Sequence, residues 1–288
     1  MDLVVSVYNE DVSFIESIPI TFSRVTLVCK NRAFWDARCV YADNFDGENY
    51  SYLKYIVDNY DSLAPISMFV MGSILKAEWK MLLCRKLHYL IGHLDTPRKQ
   101  RAFYDRIHFA TMAHGTPLSR IPFDPSFSIQ RYRQKTGGQA VQLCPASPNR
   151  LGKWIQSHAG LHVFNRAFAT GVSFNGIFAA TNVSIRAHPR HLYAHLMDEL
   201  RKCPKARTDV TSHFMERLWK PLLDRGAGNL SGKNSCPDYL LRRIPQNGMP
   251  NAKSKPDARR SKPTEQRRRS PIARRSETVP TAQTDNAY

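Results

Sequence analysis

The sequence predicts an α/β protein, with an open, mostly parallel sheet of half-Rossmann type, helices on both faces and a basic C-terminal tail. Three observations carry this. Short β-branched runs alternate with amphipathic stretches of helical spacing. The alternation proceeds strand, connection, strand, helix, strand, helix, the order of a parallel sheet covered by helices. From residue 242 onward Lys and Arg accumulate while large aliphatic residues nearly vanish.

The first strand is Leu3 to Tyr8 (LVVSVY); Val25 to Cys29 (VTLVC) and Ile66 to Met71 (ISMFVM) are similar. Each is a continuous apolar run bounded by turn or charged residues, as strands buried on both faces are. Between the second and third, Glu48 to Leu63 places Tyr52, Leu53, Ile56, Tyr60 and Leu63 at helical spacing and supplies a crossover helix. Ile74 to Leu94 follows as an amphipathic helix with Leu75, Trp79, Leu82, Leu83, Leu87, Leu90 and Ile91 on one side and Lys76, Lys80 and Lys86 elsewhere.

Thr111 to Arg150 is rich in Pro and Gly and reads as loops covering a site. Gly176 to Thr181 (GIFAAT) returns to strand, and Pro189 opens a helix through Leu200 from position N1. The last helix spans Asp209 to Leu223. Phe214, Met215, Leu218, Trp219, Leu222 and Leu223 pack, whereas His213, Glu216, Arg217 and Lys220 form a polar face. Ligands of such sheets bind outside the carboxyl ends of the strands, which directs attention to Tyr8-Asn9-Glu10-Asp11 and Gly72-Ser73.

The chain has 288 residues, 42% apolar and 23% charged, enough for a folded core of one to two units. No apolar run approaches the roughly 20 residues of a membrane span, and Met1-Asp2-Leu3-Val4-Val5 lacks the basic flank of a secretory signal. The expectation is a soluble, cytoplasmic protein. Its six cysteines, at 29, 39, 84, 144, 203 and 236, include no Cys-x-x-Cys pair. That spacing argues against a zinc knuckle and a disulfide framework, so reduced thiols are expected.

A formal charge of +18 calls for an anionic partner: nucleic acid, an acidic membrane surface or a phosphorylated substrate. Residues 242–288 hold 12 Lys/Arg against 4 Asp/Glu among Pro, Ser, Thr, Gln and Asn. Such a segment cannot bury enough surface to offset chain entropy. The expected organisation is therefore a domain at 1–241 and a disordered tail at 242–288. The tail serves either as a tether to nucleic acid or an anionic surface, as a nuclear-import signal, or simply as a solvated segment. Aromatic residues are missing from it until Tyr288, which counts against stacking on single strands.

Four constellations carry candidate chemistry, the fourth a histidine pair with Glu199. Tyr8-Asn9-Glu10-Asp11 ends a buried strand, where a ring can stack on a base and the polar groups can bind a base edge or ribose. The same residues can merely turn the chain and cap the next helix. Asp43-Asn44-Phe45-Asp46-Gly47-Glu48 offers oxygen ligands for Mg²⁺ or Mn²⁺ through Asp43, Asp46 and Glu48, or caps the following helix. In His213-x-x-Glu216-Arg217-x-x-Lys220, Glu216 can serve as general base, His213 can bind diphosphate or metal, and Arg217 can neutralise phosphate. A plain helix surface with a Glu216–Lys220 pair is the alternative.

His191 and His195 lie one helical turn apart with Glu199 a turn further, a spacing that suits Zn²⁺ as well as ordinary surface histidines. His158 and His162 repeat that spacing across Gly160. Gly-x-x-x-x-Gly-Lys-Ser/Thr, Gly-x-Gly-x-x-Gly and Gly-x-Ser-x-Gly do not occur, which removes support for a P-loop nucleotidase, a dinucleotide oxidoreductase and a serine hydrolase. Three Asn-x-Ser sequons, at Asn49, Asn182 and Asn229, are read as chance.

Several motifs together resemble a family catalogued only as a domain of unknown function. They are Val4-Val5-x-x-Tyr8-Asn9-Glu10-Asp11, Glu48-x-x-x-Tyr52-Leu53-x-x-Ile56-Val57-x-Asn59-Tyr60-Asp61-x-Leu63, Phe69-x-x-Gly72, Phe178-Ala179-x-x-x-x-Ser184-Ile185-x-x-x-Pro189-x-x-x-Tyr193 and His213-x-x-Glu216-Arg217-x-Trp219. That family is similar to nucleotide-sugar glycosyltransferases of the GT-A type. The resemblance implies transfer of a sugar from a nucleoside-diphosphate donor to a glycan or other acceptor hydroxyl. It implies Tyr8, Asn9, Glu10 and Gly72 against the nucleotide, His213 and Arg217 at the diphosphate, and Glu216 as base in an inverting reaction. The sequence departs from the pattern at Asp46, usually glycine, at Met71, usually Gln, and in having no Asp-x-Asp. Either Asp43, Asp46 and Glu48 hold Mn²⁺ or Mg²⁺ in its place, or basic side chains replace the metal. The competing expectation is a non-catalytic nucleic-acid or anionic-surface binder acting through the tail.

Overall fold

The computed structural model describes residues 1–45, 47–75, 80–111, 121–129, 143–144, 148–174, 176–202 and 208–225, all within one compact unit, Met1–Gly248. The expected tail, Asp46 and Asn229 lie outside the described residues.

A six-stranded sheet in the order β3-β2-β1-β4-β7-β5 forms its centre. Its strands are β1 (Asp2–Val7), β2 (Arg24–Cys29), β3 (Cys39–Tyr41), β4 (Ile66–Met71), β5 (Phe109–Thr111) and β7 (Phe178–Thr181). A separate parallel pair joins β6 (Leu143–Cys144) to β8 (Thr208–Asp209). β3, β2, β1 and β4 pair in parallel, whereas β7 runs antiparallel to both β4 and β5. The sheet is thus mixed where the sequence predicts it mostly parallel, with β7 alone reversed. β7 enters at Phe178, opposite Phe69 near the carboxyl end of β4, and therefore runs back down the sheet.

Among the described residues, eight α-helices accompany it: α1 (Glu48–Asn59), α2 (Lys80–Leu94), α3 (Pro97–Arg106), α4 (Leu151–His158), α5 (Leu161–Thr170), α6 (Asn182–Arg186), α7 (Arg190–Arg201) and α8 (Val210–Leu223). Alternating strand residues feed two apolar layers. Val4, Val28, Phe69 and Phe178 pack with α1, α4, α5, α7 and α8; Leu3, Val5, Val7, Leu27, Met68 and Val70 pack with α2 and α3. Every residue of β1 is buried. Burying a Val or Leu side chain fully contributes roughly 1.5–3 kcal/mol, so the central strands anchor both layers.

Some bounds differ from the sequence reading. α1 gives way to a 3-10 turn at Tyr60–Ser62, and a 3-10 turn at Gly72–Leu75 stands where the next helix was expected to begin. Pro189 is the N-cap of α7 and not its first residue. α3, α4, α5 and the short strands β3 and β5 have no counterpart in the sequence reading. Gly160, at φ +91, separates α4 from α5 in the left-handed region that glycine tolerates.

The expectation of reduced thiols is overturned at three cysteines: Cys29 and Cys39 form a disulfide, with Cα atoms 5.6 Å apart. β3 lies alongside β2 with Cys29 opposite Tyr41 and Cys39 opposite Leu27, so strand pairing brings the two sulfurs together across a ten-residue separation. Cys84 is likewise disulfide-bonded. Among the described residues, no helix is long and apolar enough to cross a membrane.

Candidate functional site

β1 connects outward to β2 on one side, while its other neighbour is β4, reached through α1. This is a point where strand order reverses, and a crevice opens there at the carboxyl ends of the strands, the general ligand position of open α/β sheets. The cavity has a volume of about 160 Å³. The end of β1 supplies Ser6, Tyr8 and Glu10; the end of β4 supplies Met71 and, just beyond, Ser73. Lys30 follows β2, and Glu48 opens α1.

The Tyr8–Asp11 segment combines both of its sequence readings. Glu10 Oε2 accepts from the backbone N–H of Tyr8 at 2.6 Å and of Asn9 at 3.2 Å, while Asp11 accepts from Ser13 N at 2.8 Å. The carboxylates therefore hold the turn. Tyr8 and Asn9 remain exposed, and Tyr8 lines the crevice. Gly72 closes the opposite side of this turn. A Cβ there would stand 3.0 Å from the Ser6 carbonyl oxygen and 3.3 Å from Glu10 Oε2, so any side chain would press on the turn.

In the acidic loop, Asp43 is exposed, Glu48 lines the crevice and Asp46 lies outside the described residues. Lys30 donates through Nζ to the Gly47 carbonyl oxygen, which brings a cation to the rim beside Glu48. Among the described residues, no group of three ligating side chains gathers at this loop. Its described donors therefore do not assemble a metal centre by themselves.

α8 is positioned by long-range polar contacts. Trp219 Nε1 donates to Asn49 Oδ1 at 2.8 Å, and Asn49 Nδ2 reaches the Ser212 carbonyl at 3.3 Å. Asn49 is 1% exposed, so this sequon is a buried strut. The polar face expected on α8 is only partly one. Arg217 is buried, its guanidinium 3.8 Å from the Phe127 ring centroid and 4.3 Å from that of Phe174, and it donates to the His213 carbonyl at 2.7 Å. Rings hold the cation because a guanidinium is weakly hydrated and stacks readily on aromatic faces.

Glu216 does not pair with Lys220, which binds Asp224 instead. Its Oε2 lies 3.5 Å from His213 Nδ1 and 4.0 Å from Arg217 Nη1. Ser173 Oγ donates to the Glu216 carbonyl at 3.1 Å.

Lys86 is the residue the sequence reading missed. It is fully buried on α2, donates to the Phe174 carbonyl at 2.7 Å and interacts electrostatically with Glu216. Burial pushes its ammonium down to about 8, while the Glu216 carboxylate opposes that shift. The signal was present: Lys86 stands four residues after Leu82 and four before Leu90, on the apolar stripe itself. A lysine on that stripe must find a partner inside.

The segment before β7 links these groups to the crevice. Ser173 and Phe174 touch Glu216, Lys86 and Arg217, and Gly176 abuts Glu48 so closely that a Cβ would come within 2.4 Å of its Cγ. Tyr8, Glu10, Gly72 and Glu48 thus gather at the crevice; Glu216, His213, Arg217 and Lys86 form a neighbouring cluster across that segment. Glu216 is not among the residues lining the cavity. Of the histidines expected on the Arg190–Arg201 helix, His195 and Glu199 are joined by His158, not by His191.

Comparison with curated proteins gives no match, and comparison with solved structures gives none either. The family described as "Protein of unknown function (DUF3431)" matches over residues 3–239, which spans the sheet, the described helices and both clusters, and the chain belongs to that family.

Proposed function

We propose that the crevice between β1 and β4 holds a nucleoside-diphosphate sugar and that the chain transfers the sugar to an acceptor hydroxyl with inversion, Glu216 serving as base. One observation carries this reading: the Ser173–Phe174 and Gly176 segment joins the crevice wall at Glu48 to the Glu216 cluster, both at the carboxyl edge of the sheet. In this reading Tyr8 stacks on the base, Asn9 meets the base edge or ribose, and Glu10 and Gly72 keep the turn in place. Lys30 brings positive charge toward the diphosphate. His213 and Arg217 flank Glu216, and Lys86 brings a buried positive charge beside it.

The chemistry asks for a stabilised leaving diphosphate and a deprotonated acceptor. A positioned base contributes roughly 10²- to 10⁴-fold in rate, and one preorganised donor at the leaving group roughly 3–4 kcal/mol. No step is routed through Mn²⁺ or Mg²⁺, since the described residues of the acidic loop do not gather a ligand set. The disulfides favour an oxidising compartment over the cytoplasm.

The test is a thermal-shift screen of the full chain against UDP- and GDP-sugars with and without EDTA, followed by product analysis with Glu216→Gln. A ligand at 100 times its dissociation constant stabilises by about 2.7 kcal/mol. The reading expects a stabilising donor, insensitivity to EDTA, and a Gln variant that binds the donor without turning it over. No stabilising donor, or full turnover by the Gln variant, would overturn it. Binding that instead requires the basic tail and falls steeply with salt would favour a polyanion binder.

A further inference from the structure

A second cluster, none of whose residues lines the crevice, lies where α4 meets α7. His158 ends α4, while His195 and Glu199 stand one turn apart on α7. His158 Nδ1 faces His195 Nε2 across 3.0 Å and Glu199 Oε1 across 3.6 Å, and ligating atoms of all three lie within 4.8 Å of one another. Around a tetrahedral Zn²⁺ with bonds of roughly 2.0–2.1 Å, neighbouring ligand atoms stand about 3.3–3.4 Å apart. The two distances bracket that edge.

Two imidazole nitrogens aimed at each other need a proton or a cation between their lone pairs. The carboxylate beside them favours the cation. The Glu199 side chain is only 7% exposed, and a buried carboxylate has to be paired. Its Oε1 is paired with Lys202 Nζ at 2.5 Å, on a side chain 68% exposed that can swing into solvent and leave the oxygen to an ion. The His158 ring packs on Trp154, centroids 5.1 Å apart, which presets one ligand. His195 is exposed and gives an ion a way in.

We propose that His158, His195 and Glu199 form a Zn²⁺ site that clamps α4 to α7, with water in the fourth position. Two imidazoles and a carboxylate are a donor set suited to Zn²⁺. The site is independent of what the crevice binds.

The test titrates the full chain, stripped with EDTA and exchanged into chelator-free buffer, with ZnCl₂ by calorimetry. The expected result is one site whose affinity falls in His195→Ala and in Glu199→Gln and is unchanged in His191→Ala. Removing a ligand should cost at least the roughly 10- to 100-fold that losing an outer-shell partner costs. His195 is exposed, so its alanine variant is expected to keep the fold, verified by circular dichroism. Co²⁺ should give the visible absorption of a four-coordinate ion in wild type and lose it in His195→Ala. Absence of Zn²⁺ uptake overturns the proposal, as does equal affinity in wild type and His195→Ala, since such binding belongs elsewhere on the chain.

Discussion

Lys86 Nζ donates to the carbonyl oxygen of Phe174 over 2.7 Å, tying α2 on one side of the sheet to the segment that precedes β7. The bond crosses 88 positions of sequence and brings a buried ammonium beside the Glu216 carboxylate. Its energetic consequences can be read from pH.

Burial lowers the Lys86 ammonium from its ordinary value of 10.5 to about 8. Between those values the unfolded chain binds more protons than the folded one, so this group makes stability rise as pH increases through about 8 toward 10.5. Over that window it changes stability by about 3 kcal/mol. Lys86→Met should lack this component. Chemical denaturation of both proteins from pH 7 to pH 10 checks it: wild type gains stability relative to the variant as pH rises, and parallel profiles would refute the assignment.

Gly176 is required by close approach. A Cβ there meets Glu48 Cγ at 2.4 Å, and the Gly176 carbonyl is itself held by the Tyr52 hydroxyl at 2.7 Å, so the backbone has little room to retreat. Gly176→Ala should cost about 1–3 kcal/mol, the usual range for overpacking, and Glu48→Ala in the same chain should recover most of it. Urea denaturation of the two single variants and the double variant measures the coupling. Additive effects would show that the two sites do not touch.

The Cys29–Cys39 bridge closes a short loop that carries β3 onto β2. Restricting a loop of that length in the unfolded chain is worth about 3 kcal/mol. Cys29→Ala with Cys39→Ala should lower stability by that order, and dithiothreitol should no longer shift the melting temperature through this pair. A double variant as stable as wild type would contradict the account.

Much of the frame was legible from local pattern. β1, β2 and β4 are runs of Val, Ile, Leu, Met and Phe that no other element accommodates, and α1, α7 and α8 repeat their apolar residues at helical spacing. α3 was not legible because its buried set amounts to Phe103 on an otherwise polar helix, and β3 and β5 are three residues each. Such elements are held by their neighbours and carry little periodicity of their own.

The site divides the same way. Tyr8 to Asp11 and Gly72 could be named from their place at strand ends, because a parallel sheet presents those ends to one crevice. Lys86 was hidden by its class, since a lysine on an amphipathic helix is ordinarily solvated, and Arg217 for the same reason. Their burial depends on Phe127 and Phe174, which come from other parts of the chain.

The order of strands and helices, the apolar layers they imply and the strand ends that face the crevice were determined by residue periodicity, which acts over a few neighbours. The reversal of β7, the Cys29–Cys39 bridge, the pairing of Asn49 with Trp219 and the meeting of His158 with His195 and Glu199 were decided only by the tertiary structure. Each joins groups that lie from ten to 170 positions apart. Such partners are chosen by how whole layers pack, and that choice is not encoded at any single stretch of chain.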